Sequence, residues 1–251
     1  MSTGTIALWD QDAVKNAAEA LSTARAEEIV RWGLATFGPR TAVASSFSEE
    51  DVAVIHLAAS TGLPFRVVAL DTGRLHEETR WVGDQLQARY GIPIEWYFPL
   101  GEELEELTRT AGMFSFRRSL EERRRCCEIR KVGPLRRALE GTPAWFTGLR
   151  RDQSQTRASL PVIEWDVAFG GLVKLNPLAG WTDAQLRDLA DAHGLPRHAL
   201  YDEGYTSIGC APCSRPTRPG EHPRSGRWWW EDPAHAECGL HPLSHRTIRK
   251  A

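Results

Sequence analysis

The feature that most restricts this chain is a repeated order of short apolar run, polar turn and helical segment. Phe65 to Leu70 is a nearly continuous apolar run, as a strand buried on both faces should be. Thr41 to Ser45, Ile94 to Phe98 and Ala144 to Thr147 read as further short strands. Between them lie helical stretches. Ala13 to Phe37 is stopped by Gly38-Pro39, and a second helix opens at Ser48 and runs to about Ser60, ended by Gly62 and Pro64. Ser48 is a good N-cap, with Asp51 at the third helical position expected to bond back to it. Helices are also predicted over His76 to Tyr90 and Cys127 to Leu139, and Thr182 caps a last one through His193, ended by Gly194 and Pro196. This alternation predicts an α/β fold: a doubly wound, mostly parallel sheet with right-handed crossovers and helices on both faces. Ligands bind such sheets at the carboxyl ends of the strands. Three polar loops fall there: Ser45 to Ser48, Asp71 to Gly73, and Gly148 to Arg157.

After Tyr205 the pattern stops, and Pro212, Pro216, Pro219, Pro223, Pro233 and Pro242 break any long periodic element. The expected organisation is an α/β domain over 1–205 and an irregular C-terminal segment over 206–251. The 251 residues carry 31 Lys and Arg against 33 Asp and Glu, a net charge of −2, which argues against a general nucleic-acid coat or a polybasic membrane binder. The longest apolar run, Val52 to Ala59, carries His56 and is far below the roughly 20 residues of a membrane span. With Asp10 and Asp12 early and no basic leader, a cytoplasmic location is expected. Homo-oligomerisation is left open.

Five cysteines is an odd number for a disulfide framework, and in a reducing compartment such residues tend to bind metal or do chemistry. Cys126 and Cys127 are adjacent, Cys210 and Cys213 form Cys-x-x-Cys, and Cys238 stands alone. Two close pairs suggest a four-thiolate site for zinc or an iron–sulfur cluster. Adjacent cysteines on a helix diverge by about 100°, which is awkward for one small ion. A four-iron cube offers two different irons, so the spacing favours a cluster. The bland alternative is a buried, unliganded pair beside a redox Cys-x-x-Cys.

Charge gathers around these thiols. Arg117, Arg118, Arg123, Arg124, Arg125, Arg130 and Lys131 face only Glu121, Glu122 and Glu128, and Arg215, Arg218, Arg224 and Arg227 precede Cys238. A solvated helix face is the ordinary reading of such a run. Here it leads into the candidate thiolate site, where cations would stabilise thiolates and an anionic ligand. Ser45-Ser46-Phe47-Ser48 offers hydroxyls and free amides at a helix start, a setting that binds anions. It lacks the glycines and lysine of a Walker loop.

Six stretches together resemble one family: Ala44 to Asp51, Leu70-Asp71-Thr72-Gly73, Arg125 to Val132, Thr147 to Ser154, Tyr205 to Cys210, and Glu237-Cys238-Gly239-Leu240-His241. They look like the assimilatory adenylyl-sulfate reductases, of the PP-loop, adenine nucleotide α-hydrolase-like superfamily, over about Phe37 to His241. The resemblance implies a [4Fe–4S] cluster on Cys126, Cys127, Cys210 and Cys213, and Cys238 as catalytic nucleophile. Lys131 would lie between cluster and substrate. Arg224, Arg227 and His241 would meet the phosphosulfate, and Ser45, Ser46, Phe47, Asp71, Thr72, Gly148 and Arg157 would line the adenosine end. Ser46 and Ser48 stand where the ATP-using relatives carry paired glycines, which speaks against ATP pyrophosphatase activity.

The activity implied is reduction of adenosine 5′-phosphosulfate to sulfite and AMP. A Cys238 S-sulfonate would form, and thioredoxin or glutaredoxin would resolve it. One alternative is the same chemistry on 3′-phosphoadenylyl sulfate, a branch that usually lacks the four ligand cysteines. The other is a metal-containing nucleic-acid-binding module using the Arg runs and Trp228-Trp229-Trp230, although anchoring the tail on the core is the plainer role for that triplet.

Overall fold

The structure is a computed structural model that describes residues 9–154 and 157–232. Its centre is a six-stranded sheet of β1 (Ala42–Ser45), β2 (Arg66–Leu70), β3 (Ile94–Tyr97), β4 (Ala144–Phe146), β5 (Ile163–Asp166) and β6 (Leu172–Leu175), in the order β3-β2-β1-β4-β6-β5. All neighbours are parallel except β5, which runs antiparallel to β6. The chain winds outward from β1 to β3, then returns to place β4 on the other side of β1. The switch point therefore lies between β1 and β4, where this class of sheet opens a ligand crevice.

Strand alternation divides the core in two. Val43, Val67, Ala69, Ala144, Phe146, Val173 and Leu175 face the larger cluster, with residues of α1 (Gln11–Ala20), α2 (Ala26–Phe37), α3 (Glu49–Ser60), α4 (Glu77–Tyr90) and α8 (Asp183–His193). Ala42, Val68 and Trp145 face the other way, onto Leu135, Ala138 and Leu139 at α7 (Gly133–Ala138). Helices thus cover both faces, as the sequence predicts. A third, smaller cluster joins Leu107 of α5 (Gly101–Ala111), Phe116, Cys126 of α6 (Leu120–Cys127), Cys210, Cys213 and Trp228.

Three expectations are corrected. The predicted helix over Ala13 to Phe37 is two helices, because the Ser22 hydroxyl donates to Glu19 O at 2.7 Å and closes the first, and Arg25 starts the second. The predicted helix over Cys127 to Leu139 begins earlier, at Leu120, where the Ser119 hydroxyl caps it by accepting from Glu122 N. It is then interrupted by a π turn over Glu128–Val132 before α7. β5 and β6 are a hairpin absent from the predicted strands; its turn runs through Gly170 and Gly171, with φ of 90° and 81°. Of the Trp triplet, Trp228 is buried and Trp230 packs on Phe116, so two of the three tie residues 206–232 to the core, and Trp229 faces out.

Candidate functional site

The loops after β1, β2 and β4 meet at one edge of the sheet. In the first, Ser45 Oγ accepts from Phe47 N at 3.0 Å, and Phe47 takes a left-handed φ of 60°. The Phe47 ring is buried against Trp96 and leaves its backbone in the loop. Asp51 does not make the expected bond back to Ser48. Ser48 Oγ still accepts from Asp51 N, at 3.4 Å, but the carboxylate turns to the loop, accepting from Ser46 N at 2.6 Å and Ser46 Oγ at 2.8 Å. It also receives the Gly148 amide, so one buried carboxylate fastens the β1 loop to the β4 loop. Burial pushes the Asp51 pKa up to about 6, and the bonds from Ser46 oppose the rise. Gly148 is required there: a Cβ would stand 2.5 Å from Asp51 Oδ1 and 2.7 Å from Glu50 Cβ.

Glu50 grips the same β4 loop. Its Oε1 accepts from Arg150 Nη2 and Gln153 Nε2, both at 2.9 Å, and Arg150 also reaches Asp183. Arg157 is buried and donates to Gln153. In the β2 loop, Asp71 accepts from Gly73 N at 2.8 Å and Arg80 Nε at 2.9 Å.

Thr72 joins this loop edge to the cysteines. Its hydroxyl lies 3.3 Å from Cys210 Sγ, and its carbonyl accepts from Arg130 Nη1 at 2.6 Å. Cys126, Cys127, Cys210 and Cys213 are all buried, none is in a disulfide, and all four line one cavity. Arg74, Arg123, Arg130, Lys131 and Arg227 line it too, with Phe116 and Trp228. Long-range folding therefore brings the two cysteine pairs together. Burial raises the Cys126 thiol, with Arg130 and Arg74 opposing, and pushes Cys213 up to about 11, with Lys131 and Arg227 opposing.

The cations are not cancelled equally. Arg123 pairs with Glu231 at 2.7 Å and stacks 4.4 Å over Trp228. Arg74, Arg130 and Arg227 donate to carbonyls, those of Met113, Thr72 and Ile208, which leaves their positive charge in place. The Nε atoms of Arg130 and Arg227 are buried without a hydrogen-bond partner. Such N–H groups beside four thiols suit an anionic sulfur-rich body. No group of three or more His, Cys, Asp or Glu among the described residues is arranged to hold a metal ion. Four buried thiols lining one cavity are a donor set of the kind that holds zinc or an iron–sulfur cluster.

Other predicted residues sit at different distances from this centre. Arg227 is buried, wedged against Gly209 and 4.7 Å over Trp228. Arg224 holds the turn before it, its carbonyl accepting from Arg227 N, and does not line the cavity. Cys238 and His241 lie outside the described residues. Sequence reasoning did not single out Glu50, Asp51, Arg74 or Arg150 for the site; the signal available was their place in the same strand-end loops.

A family model described as "Phosphoadenosine phosphosulfate reductase domain" matches residues 40–216. The chain belongs to the phosphoadenosine phosphosulfate reductase domain family. Among relatives of this reductase-family chain, the probable 5′-adenylylsulfate reductase 1, chloroplastic, of Oryza sativa subsp. japonica is 48% identical over 89% of this chain and 48% of its own length. The adenosine 5′-phosphosulfate reductase of Allochromatium vinosum is 44% identical over 82% of this chain and 84% of its own. The chain thus spans about half the length of the plant relatives. The crystal structure of phosphoadenylyl-sulfate reductase from Candida auris, a phosphate complex, aligns with TM-score 0.68 at 28% identity, over 81% of this chain and 97% of that one. Yeast FAD synthetase, at 14% identity and TM-score 0.54, shares the fold. No helix among the described residues is long and apolar enough to cross a membrane.

Proposed function

We propose that this chain reduces adenosine 5′-phosphosulfate to sulfite and AMP, with Cys238 as nucleophile and a [4Fe–4S] cluster on Cys126, Cys127, Cys210 and Cys213. The observation that carries the reading is the cavity of four buried thiols and its cations, joined through Thr72 to the strand-end loops. The relatives named above at 44% and 48% identity support adenosine 5′-phosphosulfate as substrate. The Candida auris neighbour, named for the 3′-phosphorylated nucleotide, is at 28%.

On this reading the adenosine end lies along the loops after β1, β2 and β4. Asp51 and Glu50 hold these loops in one shape before the nucleotide arrives, which avoids a cost in ordering at the moment of binding. The phosphosulfate points toward Lys131, whose charge, with those of Arg130 and Arg227, offsets the anionic oxygens around the sulfur. The Cys238 thiolate attacks that sulfur; the S–O bond to AMP breaks, and Cys–S–SO3⁻ forms. A thiolate of thioredoxin then attacks Cys238 Sγ. Sulfite leaves with the S–S electron pair, and the second thioredoxin thiol clears the mixed disulfide. The donor thiols supply both electrons. When bound, the cluster supplies a fixed anionic body that orders the four thiolates and the cations around them. A reducing, cytoplasm-like compartment suits five cysteines with this task.

The test is iron and sulfide analysis of purified protein, followed by sulfite and AMP release from each nucleotide with reduced thioredoxin. Four irons per chain and a strong preference for the unphosphorylated nucleotide are expected. Protein that works equally well without iron overturns the cluster reading. A preference for the 3′-phosphorylated nucleotide overturns the substrate assignment.

A further inference from the structure

The π turn over Glu128–Val132 sits between the adjacent cysteines and α7, and its last bond runs from Gly133 N to Glu128 O, five residues back. Pro134 follows immediately, buried, in the first turn of α7. In an unbroken α-helix residue 134 would donate to Arg130 O. Proline has no N–H to give, and its ring would collide with that carbonyl. Widening the preceding turn relieves the clash and lets α7 restart with proline where a missing donor costs nothing. Downstream, Leu135 and Ala138 are pinned in the core against the sheet. The wider turn must therefore be absorbed upstream, at Arg130 and Lys131.

The angular consequence can be worked out. Take Cys127 as zero and Cys126 at about −100° on the helix wheel. A continuous α-helix puts Lys131 at about +40°, outside the arc between the two cysteines. A π turn advances only about 80° per residue, which brings Lys131 to about −40°, inside that arc. Arg130 moves from about −60° to about −120°, close to the direction of Cys126. The side chains agree: Arg130 and Lys131 both line the thiol cavity, and Arg130 Nη1 donates to the Thr72 carbonyl at 2.6 Å.

We propose that Pro134 is a positioning residue, which holds the π turn open and so aims Lys131 between the directions of Cys126 and Cys127. The inference rests on the reading above in that Lys131 serves the phosphosulfate. Pro134→Ala restores an amide able to donate to Arg130 O and allows the turn to close as an α-helix.

Two measurements test this. Hydrogen–deuterium exchange of purified protein reads the turn itself and needs neither substrate nor activity. Amides from 130 to 133 are expected to exchange about tenfold more slowly in Pro134→Ala than in the parent; unchanged exchange refutes the idea that proline holds the turn. The second measurement is single-turnover S-sulfonate formation in the parent, Pro134→Ala, Lys131→Ala and the double variant, with iron content recorded. The rate in Pro134→Ala is expected to fall about 10- to 100-fold with iron retained, and the double variant to be no slower than Lys131→Ala alone. Multiplying effects, or a loss of rate that tracks lost iron, show a structural role and overturn the proposal. A parent that forms no S-sulfonate fails the functional reading, while the exchange result still decides the proline.

Discussion

Asp51 gives the sharpest stability prediction. Its carboxylate is buried under the β1 and β4 loops, accepts from Ser46 N, Ser46 Oγ and the Gly148 amide, and has its pKa raised from 3.8 to about 6, mainly by burial. The folded chain thus keeps a proton on this group that the unfolded chain has already lost. The contribution to stability is fully present below about pH 3.8 and is lost as the pH rises through about 6. At 1.36 kcal/mol per pKa unit, the raised value is worth about 3 kcal/mol, of which about 2 kcal/mol falls between pH 4.5 and 7.5. Asp51→Asn is nearly the same size and cannot titrate. Urea unfolding of both proteins at several pH values in that range is the assay. Relative to the variant, the parent should lose about 2 kcal/mol from the lower pH to the upper. Parallel curves would refute the argument, since they would mean that Asp51 ionises alike in both states.

Other consequences follow from named contacts. Gly148→Ala drives a Cβ into Asp51 and Glu50, neither of which can yield without loosening a loop; a loss of about 1–3 kcal/mol by denaturant unfolding is expected, with weaker AMP binding by calorimetry. Arg123→Ala leaves the Glu231 carboxylate, whose side chain is 9% exposed, without its cation and strips the stack on Trp228. A cost of about 3–5 kcal/mol is expected, with faster proteolysis within residues 206–232. Cys213→Ser should purify with iron much depleted while AMP binding at the loops is kept; undiminished iron would remove Cys213 from the ligand set.

Much of the fold is legible because parallel strands leave apolar runs and the caps leave plain signals. Ser48, Gly62, Thr182 and Gly194 mark helix ends that the structure reproduces. The antiparallel β5 is harder to read because it is only four residues, Ile163-Glu164-Trp165-Asp166, although its apolar–charged alternation and the Gly170-Gly171 turn are the pattern of a half-buried hairpin. The π turn is hidden for a different reason: Pro134 reads equally as a first-turn proline of a fresh helix. The thiol cavity is legible from spacing and from the cations in Arg117 to Lys131. The role of Asp51 is not, because Ser48-x-x-Asp51 fits a capping box as well as it fits a carboxylate turned toward the loop. Only the fold, which brings Gly148 against it, decides between the two.

The central claim is most directly tested by intact-protein and peptide mass spectrometry after mixing the reduced protein with adenosine 5′-phosphosulfate, without thioredoxin. The account predicts one SO3 group added per chain, located on the peptide containing Cys238, and absent from Cys238→Ser. An adduct that persists in Cys238→Ser, or sulfite release with no adduct on any cysteine, would contradict it.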